Sequence, residues 1–169
     1  MNDKELTRAK NAAYRLLTYR PRSRAELRAK LHEKEFTEEI TEAVLADLAR
    51  FGYVNDLQFA HDWTRSRIRL RGFGRRRIEQ ELKNKGIDRE IIREVFAEAF
   101  SDETEIGTAK RVAAKKLNTM KTLDRDTRKR RLAGFLERKG FSFEIVITVL
   151  RDIDKTKNDN QPQINKDRH

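Results

Sequence analysis

The sequence predicts an all-α protein built from tandem three-helix repeats. The 169-residue chain is 40% charged and 37% hydrophobic and has two prolines, which favours helices around a thin core over a deep-cored enzyme. The same apolar helical pattern returns twice, from Leu27 to Ile78 (51 residues) and from Ile78 to Leu132 (54 residues). A period of about fifty residues indicates a helical repeat array, in which each unit buries its face against its neighbours.

A helix within residues 1–22 precedes the first repeat, which we place at residues 23–72. Ser23 with Glu26 forms a capping box that opens the first helix of the repeat. Thr37 is a favoured N-cap type for the second helix. The third helix lies between two glycine breaks, since Gly52 ends the helix before it and Gly72-Phe73-Gly74 ends the third helix itself. Its predicted N-cap is Asn55.

The second repeat, residues 73–122, and a partial third repeat, residues 123–154, copy this order. The turns between the first two helices of the repeats are Lys34-Glu35-Phe36, Lys85-Gly86-Ile87 and Lys139-Gly140-Phe141. The N-caps that follow the turns are Thr37, Asp88 and Ser142. We expect Asp102 with Glu105 to open the last helix of the second repeat. Residues 155–169 contain one apolar residue and are predicted to be disordered.

The charge balance predicts a polyanionic partner. The formal net charge is +11, which favours nucleic acid or a nucleoprotein. No segment has the broad apolar face of a membrane-surface helix, and no apolar run is long enough to span a bilayer. The absence of cysteine fits a reducing compartment. We therefore expect a soluble, cytoplasmic protein.

Arginines concentrate at the junction of the first two repeats, which we call the basic joint. Its members are Arg65, Arg67, Arg69, Arg71, Arg75, Arg76 and Arg77. If residues 65–71 are helical, alternate arginines point in different directions and cannot all contact one linear polyanion. Residues 75–77 lie in the first turn of a helix, where positive charge costs a few tenths of a kcal/mol per residue. Positive charge in an unfavourable place suggests that it is used for binding.

A secondary basic surface extends along the later repeats. Its members are Lys110, Arg111, Lys115, Lys116, Arg128, Lys129, Arg130 and Arg131. A basic side of this kind would follow a filament or a nucleic-acid backbone, with little base specificity of its own. The aromatic residues near the basic joint can stack on bases. For Phe59 and Trp63, however, the helical spacing favours a place in the core, and Phe73 is the most open case.

The sequence contains no arrangement typical of catalysis or metal binding. The three histidines, His32, His61 and His169, are scattered, and none has metal-ligand spacing. His61-Asp62 has no nucleophile arrangement beside it. The Gly72-Phe73-Gly74 segment is too short for a phosphate-cradling loop. We therefore predict a binding protein that is not an enzyme and has no cofactor and no metal.

The ordered set of motifs resembles the RecX family of bacterial regulatory proteins. The resemblance covers roughly residues 10–153. The central strings that carry it are Gly52-Tyr53-Val54-Asn55-Asp56, Phe59-Ala60, Ser66-Arg67, Gly72-Phe73-Gly74, Arg77-Ile78 and Glu81-Leu82-Lys83-Asn84-Lys85-Gly86-Ile87. Arg22-Ser23-Arg24-Ala25-Glu26-Leu27 with Lys30-Leu31 is similar to the family's first repeat, and Phe135-Leu136 with Lys139-Gly140-Phe141 to its third.

This resemblance implies an elongated, curved array of tandem three-helix repeats. It further implies binding in the groove of the RecA–single-stranded DNA filament, with restraint of recombinase, ATPase and co-protease activity. We expect a monomer that also binds single-stranded DNA and, weakly, duplex DNA. The sequence departs from the family at two places. Glu35 stands where the family often has glycine, and Arg69-Leu70-Arg71 is about one residue longer than the family pattern.

Two other hypotheses fit parts of the sequence. One is a helix-turn-helix protein that binds duplex DNA, which would concentrate its basic residues on one recognition helix and is usually a symmetric dimer. In this chain the basic residues are spread along the array instead. The other is a structural helical adaptor whose charge is incidental.

Overall fold

The computed structural model describes residues 3–158, with only the backbone for Asp102 and residues 155–158. All regular elements within these residues are helical, which confirms the predicted all-α fold class. The α-helices are α1 (Asp3–Tyr19), α2 (Arg24–His32), α3 (Glu38–Arg50), α4 (Asp56–Ser66), α5 (Arg75–Asn84), α6 (Arg89–Ala99), α7 (Asp102–Asn118), α8 (Arg125–Lys139) and α9 (Phe143–Asn158). None of these described helices is long and apolar enough to cross a membrane.

Most of the predicted caps begin the helices as expected. Ser23 and Glu26 form the reciprocal capping box of α2, and the side chain of Thr37 accepts the N–H of Ile40. Asn55 opens α4 in the same way. The cap of α7 was predicted one residue too late. Ser101 is the N-cap, because its hydroxyl accepts a backbone N–H three residues on and leaves Asp102 inside the helix.

The chain divides into two compact units. Unit 1 runs up to Arg69 and includes Ile78–Ala99, and unit 2 contains Leu70–Arg77 and the residues from Phe100 onward. In unit 1, helices α1, α2 and α3 pack on one another and α4 packs on α6. In unit 2, α7, α8 and α9 pack together around a core that includes Leu132, Leu136 and Phe141.

A π-helical turn, Arg67–Arg71, follows α4. A π-turn accommodates one extra residue within a helix, because its hydrogen bonds reach five residues back where an α-helix reaches four. A turn of this kind can accommodate the one-residue excess expected in Arg69-Leu70-Arg71. At the other end of the chain, α9 continues to Asn158, four residues into the segment predicted to be disordered. Extending an existing helix is easier than starting one, because each added residue forms one further hydrogen bond. The remainder of that segment, residues 159–169, lies outside the described residues.

The Lys-Gly turns of the repeats have a left-handed backbone. Gly86 has φ 70° and Gly140 has φ 91°. A Cβ atom at Gly86 would overlap Ala25 at the start of α2, and one at Gly140 would overlap the backbone of Arg77 in α5. The corresponding residue of the first turn, Glu35, has φ 63° and is exposed. A non-glycine residue costs about 1 kcal/mol in this conformation.

Each Lys-Gly turn caps the beginning of an earlier helix. In unit 1, the hydroxyl of Ser23 donates to the carbonyl oxygen of Lys85 at 2.5 Å. In unit 2, the N–H of Gly74 donates to the carbonyl oxygen of Lys139 at 2.8 Å, and the N–H of Arg76 to that of Gly140 at 3.1 Å. Carbonyl groups left over at one helix C-terminus therefore satisfy donors at the N-terminus of another helix.

Candidate nucleic-acid-binding surface

Unit 1 contains three arginines of the basic joint, and they differ in environment. Arg65 and Arg69 are exposed. Arg67 is half-buried because its guanidinium lies 3.8 Å from the ring centre of Trp63 and donates to Glu81 at 2.6 Å. A cation held between an aromatic ring and a carboxylate stabilises the fold and has little free charge for a partner. Of the three arginines of the basic joint in unit 1, Arg65 and Arg69 are therefore the ones exposed to a partner.

A chain of ion pairs lies beside Arg67 in unit 1. The carboxylate of Glu26 pairs with the guanidinium of Arg20 at 3.0 Å and with the ammonium of Lys85 at 3.0 Å. The ammonium also lies 4.0 Å from the ring centre of Trp63. Burial alone would raise the pKa of Glu26, but hydrogen bonds from Arg20, Lys85 and the Ser23 backbone outweigh burial and hold the pKa at about 2. Arg20, Glu26 and Lys85 thus each have a partner of opposite sign.

Unit 2 contains the other four arginines of the basic joint, and all four are exposed: Arg71, Arg75, Arg76 and Arg77. The guanidinium of Arg77 lies 4.1 Å from the ring centre of Phe73 and donates to the carbonyl oxygen of Arg138. The backbone N–H of Arg75 donates to the buried carboxylate of Glu105 at 2.9 Å. That carboxylate at the N-terminus of α5 offsets the unfavourable position of the arginines relative to the helix dipole.

The secondary basic surface is partly neutralised. Lys110 pairs with Asp152 at 2.6 Å, and Lys129 pairs with Asp154. Both acids belong to α9, far along the chain from their partners, so sequence spacing does not reveal these pairs. Four other cations of the surface are exposed: Arg111, Lys115, Arg130 and Arg131.

An open basic cavity of about 300 Å³ lies within unit 2. Its lining includes five cationic side chains, Arg71, Arg111, Lys115, Lys116 and Lys139. As far as the structure describes the chain, no carboxylate lines this cavity. The ammonium of Lys139 donates to the carbonyl oxygen of Arg71 at 2.7 Å. Burial lowers the pKa of Lys139, and the charges of Arg77 and Arg71 lower it further.

The remaining family-motif residues are mostly structural. Phe59, Ile78 and Leu82 are buried, and Asp56 accepts the backbone N–H of Arg24 at 2.8 Å. Tyr53 is the exception, since it is 58% exposed and contacts Tyr14 edge-to-face. The remaining members, which form turns and breaks, are Gly52, Gly72, Gly74, Lys85 and Gly86.

The described histidines do not come together. His32 pairs with Glu38 at 2.7 Å and His61 lies 3.8 Å from Glu98. Within the part of the chain that the structure describes, no group of His, Asp and Glu is arranged to hold a metal ion.

The predicted place of Lys139 in a turn does not reveal that its side chain lines a basic cavity. The repeat itself contains a signal that identifies this residue. Subtracting 51 residues from Arg71 and Arg77 gives Arg20 and Glu26, so the repeat replaces a carboxylate with a guanidinium. The lysine of the turn thus loses its counter-charge in the later unit.

Three family models match the chain in order. Residues 9–48 match the first three-helix domain of RecX, residues 55–95 the second and residues 103–150 the third. These matches correspond to helices α1–α3, α4–α6 and α7–α9. The domains therefore begin one helix earlier than the repeats as divided in the sequence analysis.

Known proteins are similar to most of the chain. Regulatory protein RecX of Streptomyces coelicolor is 41% identical over 143 residues, which cover 85% of this chain and 76% of that protein. The Amycolatopsis mediterranei protein of the same name is 37% identical over 145 residues, covering 86% and 82%. The crystal structure of RecX from Lactobacillus salivarius matches with a TM-score of 0.81 at 23% identity, covering 91% of this chain and 99% of that one.

The fold and these relatives define a regulatory protein made of tandem three-helix domains. The chain belongs to the RecX family.

Proposed function

We propose that this protein binds the RecA–single-stranded DNA filament in its helical groove and mainly inhibits the recombinase, ATPase and co-protease activities of RecA. The observation that carries the proposal is the match of all three RecX domains, in order, along one chain. The partners would be RecA and the single strand it covers, with weaker binding to bare single-stranded and duplex DNA. In this role the protein is a cytoplasmic, monomeric regulator and not an enzyme.

The surface charges support a nucleoprotein partner. The net charge is +11, and six of the seven arginines in the basic joint are exposed. Arginine suits phosphate contacts because its planar guanidinium donates two parallel hydrogen bonds. Phosphate contacts position a protein without selecting sequence, as a regulator of a filament on any DNA requires. We assign Arg65, Arg69, Arg71, Arg75, Arg76 and Arg77 to this contact, and Arg67 to the support of the fold.

The test measures RecA on single-stranded DNA with this protein in excess. We expect DNA-dependent ATP hydrolysis and strand exchange both to fall. Electron microscopy of the mixture should reveal density along the filament groove. Unchanged ATPase and strand exchange would refute the proposal. A footprint on a defined duplex site, obtained without RecA, would favour a helix-turn-helix DNA-binding protein instead.

A further inference from the structure

The ion-pair chain of unit 1 provides the reference for a second site. Arg20, Glu26 and Lys85 alternate in charge, and the carboxylate lies 3.0 Å from each cation. The Trp63 ring fills the space beside the ammonium, 4.0 Å from its centre. The protein itself therefore neutralises the charges of these three residues and fills the space beside the ammonium.

The same repeat positions in unit 2 have three cations and no anion. Adding 51 residues to Arg20 and Glu26 gives Arg71 and Arg77, and adding 54 to Lys85 gives Lys139. The geometry is preserved around the turn, since Gly74, 51 positions after Ser23, donates its N–H to the carbonyl oxygen of Lys139 as the Ser23 hydroxyl donates to that of Lys85. The ammonium of Lys139 donates to the carbonyl oxygen of Arg71. The central carboxylate of unit 1 is thus replaced by a third positive charge.

The second carboxylate of unit 1 is also missing from unit 2. Glu81 accepts the indole N–H of Trp63 at 2.9 Å, and the residue 54 positions later is Phe135. This ring lies 5.6 Å from the ammonium of Lys139 and 5.7 Å from that of Lys116. In place of a filled, neutral environment, unit 2 has an open cavity of about 300 Å³ with one aromatic wall.

Like charges gathered in one cavity repel one another. Five cations line it, and burial with the charges of Arg77 and Arg71 lowers the pKa of Lys139. An anion bound among these groups would relieve the repulsion and satisfy the ammonium. A phosphoryl group fits this role because its oxygens accept several charge-assisted hydrogen bonds at once.

We propose that this cavity binds the phosphoryl group of a nucleotide, with its oxygens in the place that the Glu26 carboxylate has in unit 1. The walls formed by Phe135 and Leu70 offer an apolar surface for the sugar or base. The assignment of the nucleotide to a DNA strand rests on the proposed function. The phosphoryl chemistry is shared by a free nucleoside triphosphate, and the experiment separates these two sources.

A neighbouring cavity extends the site along the same unit. It has a volume of about 410 Å³ and shares Lys116 and Thr119 with the first cavity. Its other cationic side chains are Arg130, Arg131 and Arg138. Two adjoining basic cavities suit consecutive phosphates of a strand better than one free nucleotide.

The test uses the full-length chain without RecA. Fluorescence anisotropy measures binding of a labelled oligothymidylate of about ten nucleotides as salt is varied. We expect the double variant Lys115→Gln/Lys116→Gln to lower the slope of log affinity against log salt by about 0.7 to 1.4, since each phosphate contact on a single strand contributes about 0.7. The matched control is Lys110→Gln/Lys129→Gln, which removes the same charge from ion pairs with Asp152 and Asp154.

A second variant separates a loss of DNA binding from a loss of folded structure. Arg77→Glu restores the alternating charges of unit 1, so we expect helical content to stay unchanged and oligothymidylate binding to fall at least about tenfold. Arg89→Glu, an equal charge reversal on α6, should reduce binding far less. Equal binding by the cavity variants and their controls would overturn the proposal.

The source of the phosphoryl group is resolved by competition. If unlabelled adenosine triphosphate binds with the same dependence on Lys115 and Lys116 and the oligothymidylate does not, the cavity takes a free nucleotide. If only the oligothymidylate binds this way, the source is a strand. If neither does, the phosphate site is refuted. Since RecA is absent, failure here leaves the proposed filament function standing, and unchanged RecA activity leaves the phosphate site standing.

Discussion

At the scale of the residue, the role of a charged side chain depends on its partners in the fold. Arg67 and Arg69 are two positions apart, yet one pairs with Glu81 and the other is exposed. Lys85 and Lys139 have the same place in their repeats and opposite surroundings. The sequence identified both clusters of positive charge. It could not sort them, because the neutralising acids lie 14 to 42 residues away: Arg67 to Glu81 is 14 residues and Lys110 to Asp152 is 42.

The pH dependence of stability should depend on Glu26. Its pKa is about 2, below the ordinary value of 4.5. A carboxylate with a depressed pKa stabilises the fold fully above pH 4.5, and the contribution is lost as the pH falls from 4.5 towards 2. We expect Glu26→Gln to lower the free energy of unfolding by about 2 kcal/mol at neutral pH, allowing for solvent screening.

Urea unfolding of both proteins at pH 7 and at pH 2 to 3, followed by circular dichroism, measures this contribution. The difference between wild type and Glu26→Gln should shrink at the acid pH, where the native carboxylate becomes protonated. Glu33→Gln is a suitable control, since Glu33 is exposed and pairs with Lys30. A difference that stays constant with pH would contradict the assigned pKa.

At the scale of the element, α5 depends on groups from other helices. Its first turn has three arginines, and its backbone donors bond to Gly140, just after α8, and to Glu105. The sequence predicted where α5 begins because the Gly-Phe-Gly break precedes it. It could not predict which groups accept the N–H donors at the start of α5, since Glu105 is 30 residues from Arg75 and was assigned to a capping role in α7.

We expect Glu105→Ala to destabilise unit 2 by about 1 to 3 kcal/mol, the cost of a buried donor left without its acceptor. Glu105→Gln keeps an acceptor oxygen and should cost less. The matched control is Glu103→Ala, an exposed acid in the same turn of α7. Thermal unfolding of the four proteins, followed by circular dichroism, provides the comparison. Equal midpoints for Glu105→Ala and Glu103→Ala would indicate that α5 does not need this carboxylate.

At the scale of the whole molecule, the seven arginines of the basic joint are divided between the two units. Arg65, Arg67 and Arg69 belong to unit 1, and Arg71 with Arg75, Arg76 and Arg77 to unit 2. The sequence predicted the repeat and the helical class because both follow from apolar spacing, which is local. The division into units depends on which helices pack together, and sequence spacing alone does not determine it.

Charge reversal at Arg75 and Arg76 separates binding from folding. Glutamate in the first turn of α5 is favourable for the helix dipole, so Arg75→Glu/Arg76→Glu should preserve or raise the thermal midpoint. If these arginines contact the RecA filament, affinity should fall about tenfold, and the decrease should lessen at high salt, where phosphate contacts contribute less. Arg89→Glu/Arg93→Glu is the control, because it makes the same change of charge on α6. Co-sedimentation with RecA filaments at two salt concentrations measures both pairs. Equal losses would mean that net charge alone attracts the protein, whereas a loss confined to the α5 pair would assign the contact to the basic joint.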